Sequence, residues 1–278
     1  MATPRRLTAG TIRGRKSARF PVVTAYDTPF ARCAEDAGFD VLLVGDSLGN
    51  VVLGFDSTTS VTLDDMCRHV GAVARGTAKA HVIGDMPFGS YQASDEDAVR
   101  SAVALVRAGA CSVKLEGGTD VAPRIEAIAR AGIPVCAHVG VLPQTAGLES
   151  GFRRKADADA LLADARAVAK AGAFAVVLEM VDAVVSAQIT SELAIPTIGI
   201  GSGPATDGQV LVIYDVIGLY PHAPPFAKRY GEVARAATDA LRAFADDVRA
   251  GAFPPAKADP AQEADAAIYA VRSPAPEP

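Results

Sequence analysis

Four cysteines and four histidines in 278 residues are too few and too scattered for several chemistries. Cys33, Cys67, Cys111 and Cys136 contain no C-x-x-C pair, which excludes a zinc ribbon or a thioredoxin-type motif and leaves reduced core residues as their reading. No two of His69, His81, His138 and His222 stand at zinc-ligand spacing. Long apolar runs are also missing: none approaches the roughly 20 residues of a membrane span, and no apolar stretch follows the basic N-terminus as a secretory signal would require. A cytoplasmic protein without a membrane partner is expected. The first nineteen residues carry Arg5, Arg6, Arg13, Arg15, Lys16 and Arg19 and no acid, which reads as a cationic first helix at the surface rather than a transit peptide. A net charge of -5 disfavours phosphate-backbone binding, so no nucleic-acid partner is expected and a small molecule is the predicted ligand.

What is present suffices for a large core: half of the residues are hydrophobic and 21% are charged. Apolar or β-branched runs at 20–26, 41–45, 81–85, 112–117, 134–140, 173–180, 196–201 and 210–218 predict eight strands. Helical patterns lie between them at 29–37, 63–75, 96–108, 121–131, 158–171 and 183–193, and a long helix over about 227–250 closes the chain. Gly38, Gly109, Gly132 and Gly172 follow four of these at the position where a left-handed residue ends a helix. Strands alternating with helices pair in parallel, and eight units predict a closed (β/α)₈ TIM barrel. A doubly wound sheet would carry G-x-G-x-x-G after its first strand, and nothing of that kind follows Tyr26. One domain over 1–253 is expected, then a Pro/Ala-rich flexible tail over 254–278.

Barrels place their chemistry at the C-terminal ends of strands, and five consecutive predicted strands end in or carry polar groups. These are Asp46 and Ser47, Asp85, Lys114 and Glu116, His138, and Glu179. Singly, each could cap a helix or form an ion pair; five together are hard to read that way. In SVKLEGG the alternation directs Lys114 and Glu116 into the barrel, where two buried charges need substrate or metal to justify their desolvation. Asp46 and Asp85 on adjacent strands suit a hard, partly hydrated cation, and Mg²⁺ is favoured. Glu179 follows the apolar run AFAVVL, where burial would raise its pKa toward that of a useful general base. His138 could polarise a carbonyl or be a satisfied core group. A divalent ion, a lysine and a base together are the equipment for enolising a 2-oxo acid.

The motifs TAYD (24–27), LLVGDSLGNVVLGFDST (42–58), GDMPFGSY (84–91), VKLEGG (113–118), IPVCAHVGVLPQ (133–144), LEMV (178–181) and IPTIGIGSGPATDGQ (195–209) resemble, in order, those of the ketopantoate (3-methyl-2-oxobutanoate) hydroxymethyltransferase family. The resemblance implies a barrel of the phosphoenolpyruvate/pyruvate type, transfer of a hydroxymethyl group from the cosubstrate 5,10-methylenetetrahydrofolate to 3-methyl-2-oxobutanoate, and a homo-oligomer, with decamers usual. It implies Mg²⁺ held by Asp46 and Asp85 with Glu116 in support, directly or through water. Asp46, Ser47, Asp85 and Lys114 would contact the 2-oxo acid, Glu179 would accept the C3 proton, and Lys114 and His138 would lie beside the reacting atoms. Two departures stand out. The glycine-rich loop that usually ends in Gln-Gly-Arg is replaced by GLESGFRRKADAD over 147–159, and Pro225 stands where the family has a lysine. They leave open an aldol-type lyase or transferase on another 2-oxo acid, or a non-catalytic paralogue binding a small acid.

Overall fold

A computed structural model describes residues 6–148 and 151–255; the remaining basic residue of the N-terminus, Arg5, and most of the predicted tail lie outside the described residues. The chain begins with a short helix α1 (Ala9–Arg13) and then alternates strands and helices: β1 (Phe20–Thr24), α2 (Thr28–Asp36), β2 (Val41–Val44), α3 (Leu48–Val51), α4 (Leu63–Gly76), β3 (His81–Asp85), α5 (Asp95–Ala108) and β4 (Ser112–Glu116). There follow α6 (Ala122–Arg130), β5 (Val135–Gly140), α7 (Pro143–Ala146), α8 (Ala158–Lys170), β6 (Ala175–Glu179), α9 (Ala183–Glu192), β7 (Thr197–Ile200), β8 (Gly208–Leu211), α10 (Ile213–Ile217) and α11 (Val233–Arg249). The eight strands close in sequence order into one barrel, and every neighbouring pair, β8 with β1 included, is parallel. The predicted TIM barrel is therefore the fold.

Local chemistry sets the boundaries. Asp27, Thr62, Ser94, Asp157 and Asp182 each accept a hydrogen bond from a first-turn N–H of the helix that follows, satisfying donors that have no partner inside the helix. At the other ends Gly38, Gly109, Gly132 and Gly172 have φ between +86° and +120°, as their sequence positions predicted. Inside the barrel Phe20, Val22, Val41, Leu43, Ile83, Cys136, Phe174, Val177, Ile198 and Val210 form one buried cluster.

Of two further expectations one is corrected. The expected helix near the N-terminus is α1, and it packs at the surface as expected, with Gly10, Thr11 and Arg13 exposed and Ala9 and Ile12 turned into the core cluster. The predicted eighth strand at 210–218 ends at Leu211, and Ile213–Ile217 is helix α10. A short, wholly apolar run fits either period, and here the Ile213 N–H turns to donate to Thr24 Oγ1 at 2.9 Å. Compact packing divides the chain into one unit running through Ile213 and joined by Pro225–Ala227, and a second comprising Tyr214–Pro224 and the chain from Lys228 onward. The second contains α11, which has no buried residue and exposes Leu241, Phe244 and Val248.

Candidate active site

Strand register brings the sequence-predicted residues together at the C-terminal ends of β2 to β6. Asp85 pairs in register with Lys114, Glu116 with His138, and Gly140 with Glu179. Asp46, Asp85, Lys114, Glu116 and His138 are all buried, at 2–5% exposure, and Glu179 retains 16% of its side-chain exposure. Lys114 Nζ stands 2.9 Å from Asp85 Oδ1, and Asp85 Oδ2 accepts the Asp46 N–H at 3.1 Å. The imidazole of His138 lies between two carboxylates, with Nδ1 3.4 Å from Glu116 Oε1 and Nε2 3.4 Å from Glu179 Oε2. Neither ring nitrogen makes a hydrogen bond among the described residues. Ser47 is half-buried, its Oγ 2.8 Å from Tyr26 Oη.

Backbone geometry aims the last carboxylate. Gly140 has φ +104°, and a Cβ there would lie 2.4 Å from the Glu179 carbonyl oxygen, so only glycine lets β5 and β6 approach this closely. Met180, directly after Glu179, adopts φ +46°, a conformation costly for a bulky side chain and held by its hydrogen bonds to Ile200 O and from Lys155 N–H.

The electrostatics follow from burial of more acid than base. Burial, then the charges of Asp85 and Glu116, lift Asp46 well above the usual carboxylate range, with Lys114 and Gln144 offsetting only part. Burial also lifts Asp85 against the pull of Lys114. Burial works against the Lys114 ammonium, but Asp85, Glu116 and Asp46 outweigh it and keep the lysine charged. Glu116 is held below its ordinary value: burial raises it, and His138, Lys114 and the Gln144 N–H together prevail. Burial raises Glu179, with His138 partly opposing. The site thus holds four carboxyl groups, one lysine and one histidine.

That acid excess and its all-oxygen donors fit a hard divalent cation, and Asp85 Oδ1 accepts no aligned hydrogen bond among the described residues. Those residues contain no cluster of three or more His, Cys, Asp or Glu side chains gathered as metal ligands. Asp46 and Asp85, joined through the Asp46 N–H to Asp85 Oδ2 contact, are the adjacent carboxylates whose chemistry would suit such an ion.

Sequence reasoning passed over Tyr26, Tyr91 and Gln144 as individual residues. Tyr91 and Gln144 are buried and hydrogen-bonded to the acid cluster. All three lay inside quoted motifs, TAYD, GDMPFGSY and VLPQ, but an uncharged tyrosine or glutamine past a strand end carries no local mark of burial. The divergent loop reaches the same rim, where Arg154 Nη1 donates to Val181 O and Gly201 O at 2.9 and 2.7 Å. Residues 149 and 150 of that loop lie outside the described residues. Phe226, next to Pro225, packs its ring at Gly201.

The profile of the ketopantoate hydroxymethyltransferase family matches residues 6–256. The 3-methyl-2-oxobutanoate hydroxymethyltransferase of Ignicoccus hospitalis is 54% identical over 237 residues, covering 84% of this chain and 90% of its own. That of Thermobifida fusca is 50% identical over 241 residues, covering 85% and 86%. Among solved structures, phosphonopyruvate hydrolase in complex with oxalate and Mg²⁺ superposes with a TM-score of 0.61 at 15% identity, covering 98% of this chain and 100% of that one. The 2,3-dimethylmalate lyase of the PEP mutase/isocitrate lyase superfamily gives 0.58 at 19%, covering 94% and 99%.

Proposed function

The chain belongs to the ketopantoate hydroxymethyltransferase family, and from that membership and the buried mouth of the barrel we propose how it carries out the family's reaction. The enzyme is a hydroxymethyltransferase of pantothenate biosynthesis, converting 3-methyl-2-oxobutanoate to 2-dehydropantoate. Its one-carbon donor in this reading is 5,10-methylenetetrahydrofolate, which leaves as tetrahydrofolate after one water has supplied the hydroxyl oxygen.

The observation that carries the assignment is the continuous row Glu179, His138, Glu116 set against Lys114 and Asp85. Asp46 and Asp85 would hold Mg²⁺, with Glu116 behind water, and the bound ion would supply Lewis-acid polarisation of the oxo acid. The chain's own groups do the rest. The Lys114 ammonium, kept charged by its acid neighbours, meets the negative charge of the oxo acid and of the carbonyl oxygen as C3 loses its proton. Ser47 and the Asp46 and Asp85 strand ends line the place of the carboxylate and keto groups. Glu179 takes the C3 proton into a buried carboxyl, and His138 at 3.4 Å orients it. The nucleophilic C3 then bonds the one-carbon unit. Arg154 and the loop around it stand at the rim, where the bulkier cosubstrate has to approach.

All four cysteines are unpaired, in keeping with work in the reducing cytoplasm. We also propose a homo-oligomer, because Leu241, Phe244 and Val248 of α11 are 68%, 53% and 47% exposed and a second copy would cover them; light scattering should give a mass well above 28.5 kDa.

Proton NMR of 3-methyl-2-oxobutanoate in D₂O with Mg²⁺ and methylenetetrahydrofolate tests the reaction. The C3 signal should be lost by exchange and 2-dehydropantoate should appear, both suppressed by a chelator. Exchange without product would mean a different electrophile. Neither event with folded protein would reject the catalytic reading.

A further inference from the structure

Gln144 is 2% exposed, and it makes more contacts to the acid cluster than any role of its own would need. Its Nε2 donates to Asp46 Oδ2 at 2.7 Å and to Met86 O at 2.9 Å, which uses both amide protons. Its backbone N–H donates to Glu116 Oε2 at 3.1 Å. Its Oε1 accepts from Tyr91 Oη at 2.7 Å. Tyr91 is 1% exposed, and its oxygen accepts the Glu116 N–H at 3.2 Å, so the phenolic proton is directed onward to Gln144 Oε1, the shorter of its two acceptor contacts.

This fixes which end of the amide faces Asp46. A flipped amide would set its carbonyl oxygen against both the Asp46 carboxylate and the Met86 carbonyl, two acceptor–acceptor contacts. Asp46 lies beyond the last residue of β2, Met86 and Tyr91 lie in the loop after β3, and Glu116 ends β4. Strand register alone does not set the spacing of groups past the strand ends. One residue from the loop after β5 ties them together, and it does so with a neutral donor, adding no charge to a crowded acid cluster.

We propose that Gln144, oriented by Tyr91, is the positioning residue that sets how tightly the mouth of this barrel binds a divalent cation, by holding Asp46 and Glu116 in one arrangement. The inference rests on the metal assignment made above. Residues that orient ligands in this way are typically worth about 10- to 100-fold in metal affinity.

The test is Mn²⁺ titration of the full chain, followed by the EPR signal of the free ion, for the wild type, Gln144→Leu, Tyr91→Phe and the double variant. We expect Gln144→Leu to raise the Mn²⁺ Kd about tenfold or more and Tyr91→Phe about threefold. The double variant should match Gln144→Leu within about twofold, because Tyr91 acts through the amide. Wild-type binding with unchanged Kd in folded variants would overturn this inference alone and leave the metal site standing; a purely structural residue would lower the melting temperature in just that way. Additive losses in the double variant would also overturn it. If the wild type takes up no Mn²⁺, the metal assignment falls and the inference with it. Should Gln144→Leu fail to fold, Tyr91→Phe, which removes one oxygen and keeps the ring, decides the matter by itself.

Discussion

Glu179 has to be a carboxylate to take a proton, and burial makes that state harder to reach than for an exposed acid. With its pKa raised by burial, the proposed base is neutralised as the pH falls through a value above its ordinary one, so the acid limb of kcat/KM should lie above that of an exposed glutamate. Glu179→Gln should lower the rate of C3 exchange by about 10²- to 10⁴-fold, and the residual rate should lose that limb. A variant that kept both the rate and the limb would remove Glu179 from the chemistry. Among single residues the site was readable wherever a charge interrupted an apolar strand, as at Lys114, Glu116 and Glu179. It was unreadable at Gln144 and Tyr91, because a polar but uncharged residue beyond a strand end shows its purpose only when its partners, 25 to 98 positions away, are known.

At the level of elements, strands β2, β3 and β4 were recovered nearly to the residue, since each is a short apolar run with a polar strand end and, before β2 and β4, a glycine-ended helix. The elements missed were short or had no period of their own: α3 and α7 are four residues each, and α10 continues the apolar run of β8. Helix α1 lies at the surface as expected, but five arginines and a lysine over the first nineteen residues gave no sign of which of its residues, Ala9 and Ile12, point to the core. Ile12 is fully buried, so Ile12→Ala should cost about 2–5 kcal/mol of unfolding free energy, measured in denaturant, whereas a substitution on the exposed face of the helix would cost under about 0.5. The junction of β5 and β6 makes a sharper demand. Gly140→Ala adds both a strained φ of +104° and a Cβ 2.4 Å from Glu179 O, and we expect about 2–4 kcal/mol of destabilisation. Because the displaced neighbour is Glu179, the proposed base, turnover by the folded fraction should fall too; a variant less stable but equally fast would show that this close approach serves packing alone.

The response of the whole molecule to acid includes a group far from the reaction. His81 is buried at the start of β3, its Nδ1–H directed to Leu7 O at 2.9 Å and its Nε2 facing Ser112 Oγ at 2.8 Å, an arrangement that suits the neutral ring. Burial lowers its pKa from 6.5 to about 4, a difference of roughly 2.5 units or about 3 kcal/mol. Below pH 6.5 the unfolded chain takes up a proton that the folded chain refuses, so this stability is fully present above 6.5 and is lost as the pH falls toward 4. Asp46 and Glu179 act in the opposite sense: their raised values mean that the folded state gains protons first, so acid relieves part of their burial cost. A single stability curve mixes the two trends, and the difference between two proteins separates them. Urea unfolding at pH 7 and pH 4.5 should show the wild type losing about 2 kcal/mol more than His81→Gln over that interval, since the variant keeps the acids and lacks only the histidine. Equal losses in the two proteins would place the acid sensitivity of the barrel elsewhere than beneath its first helix.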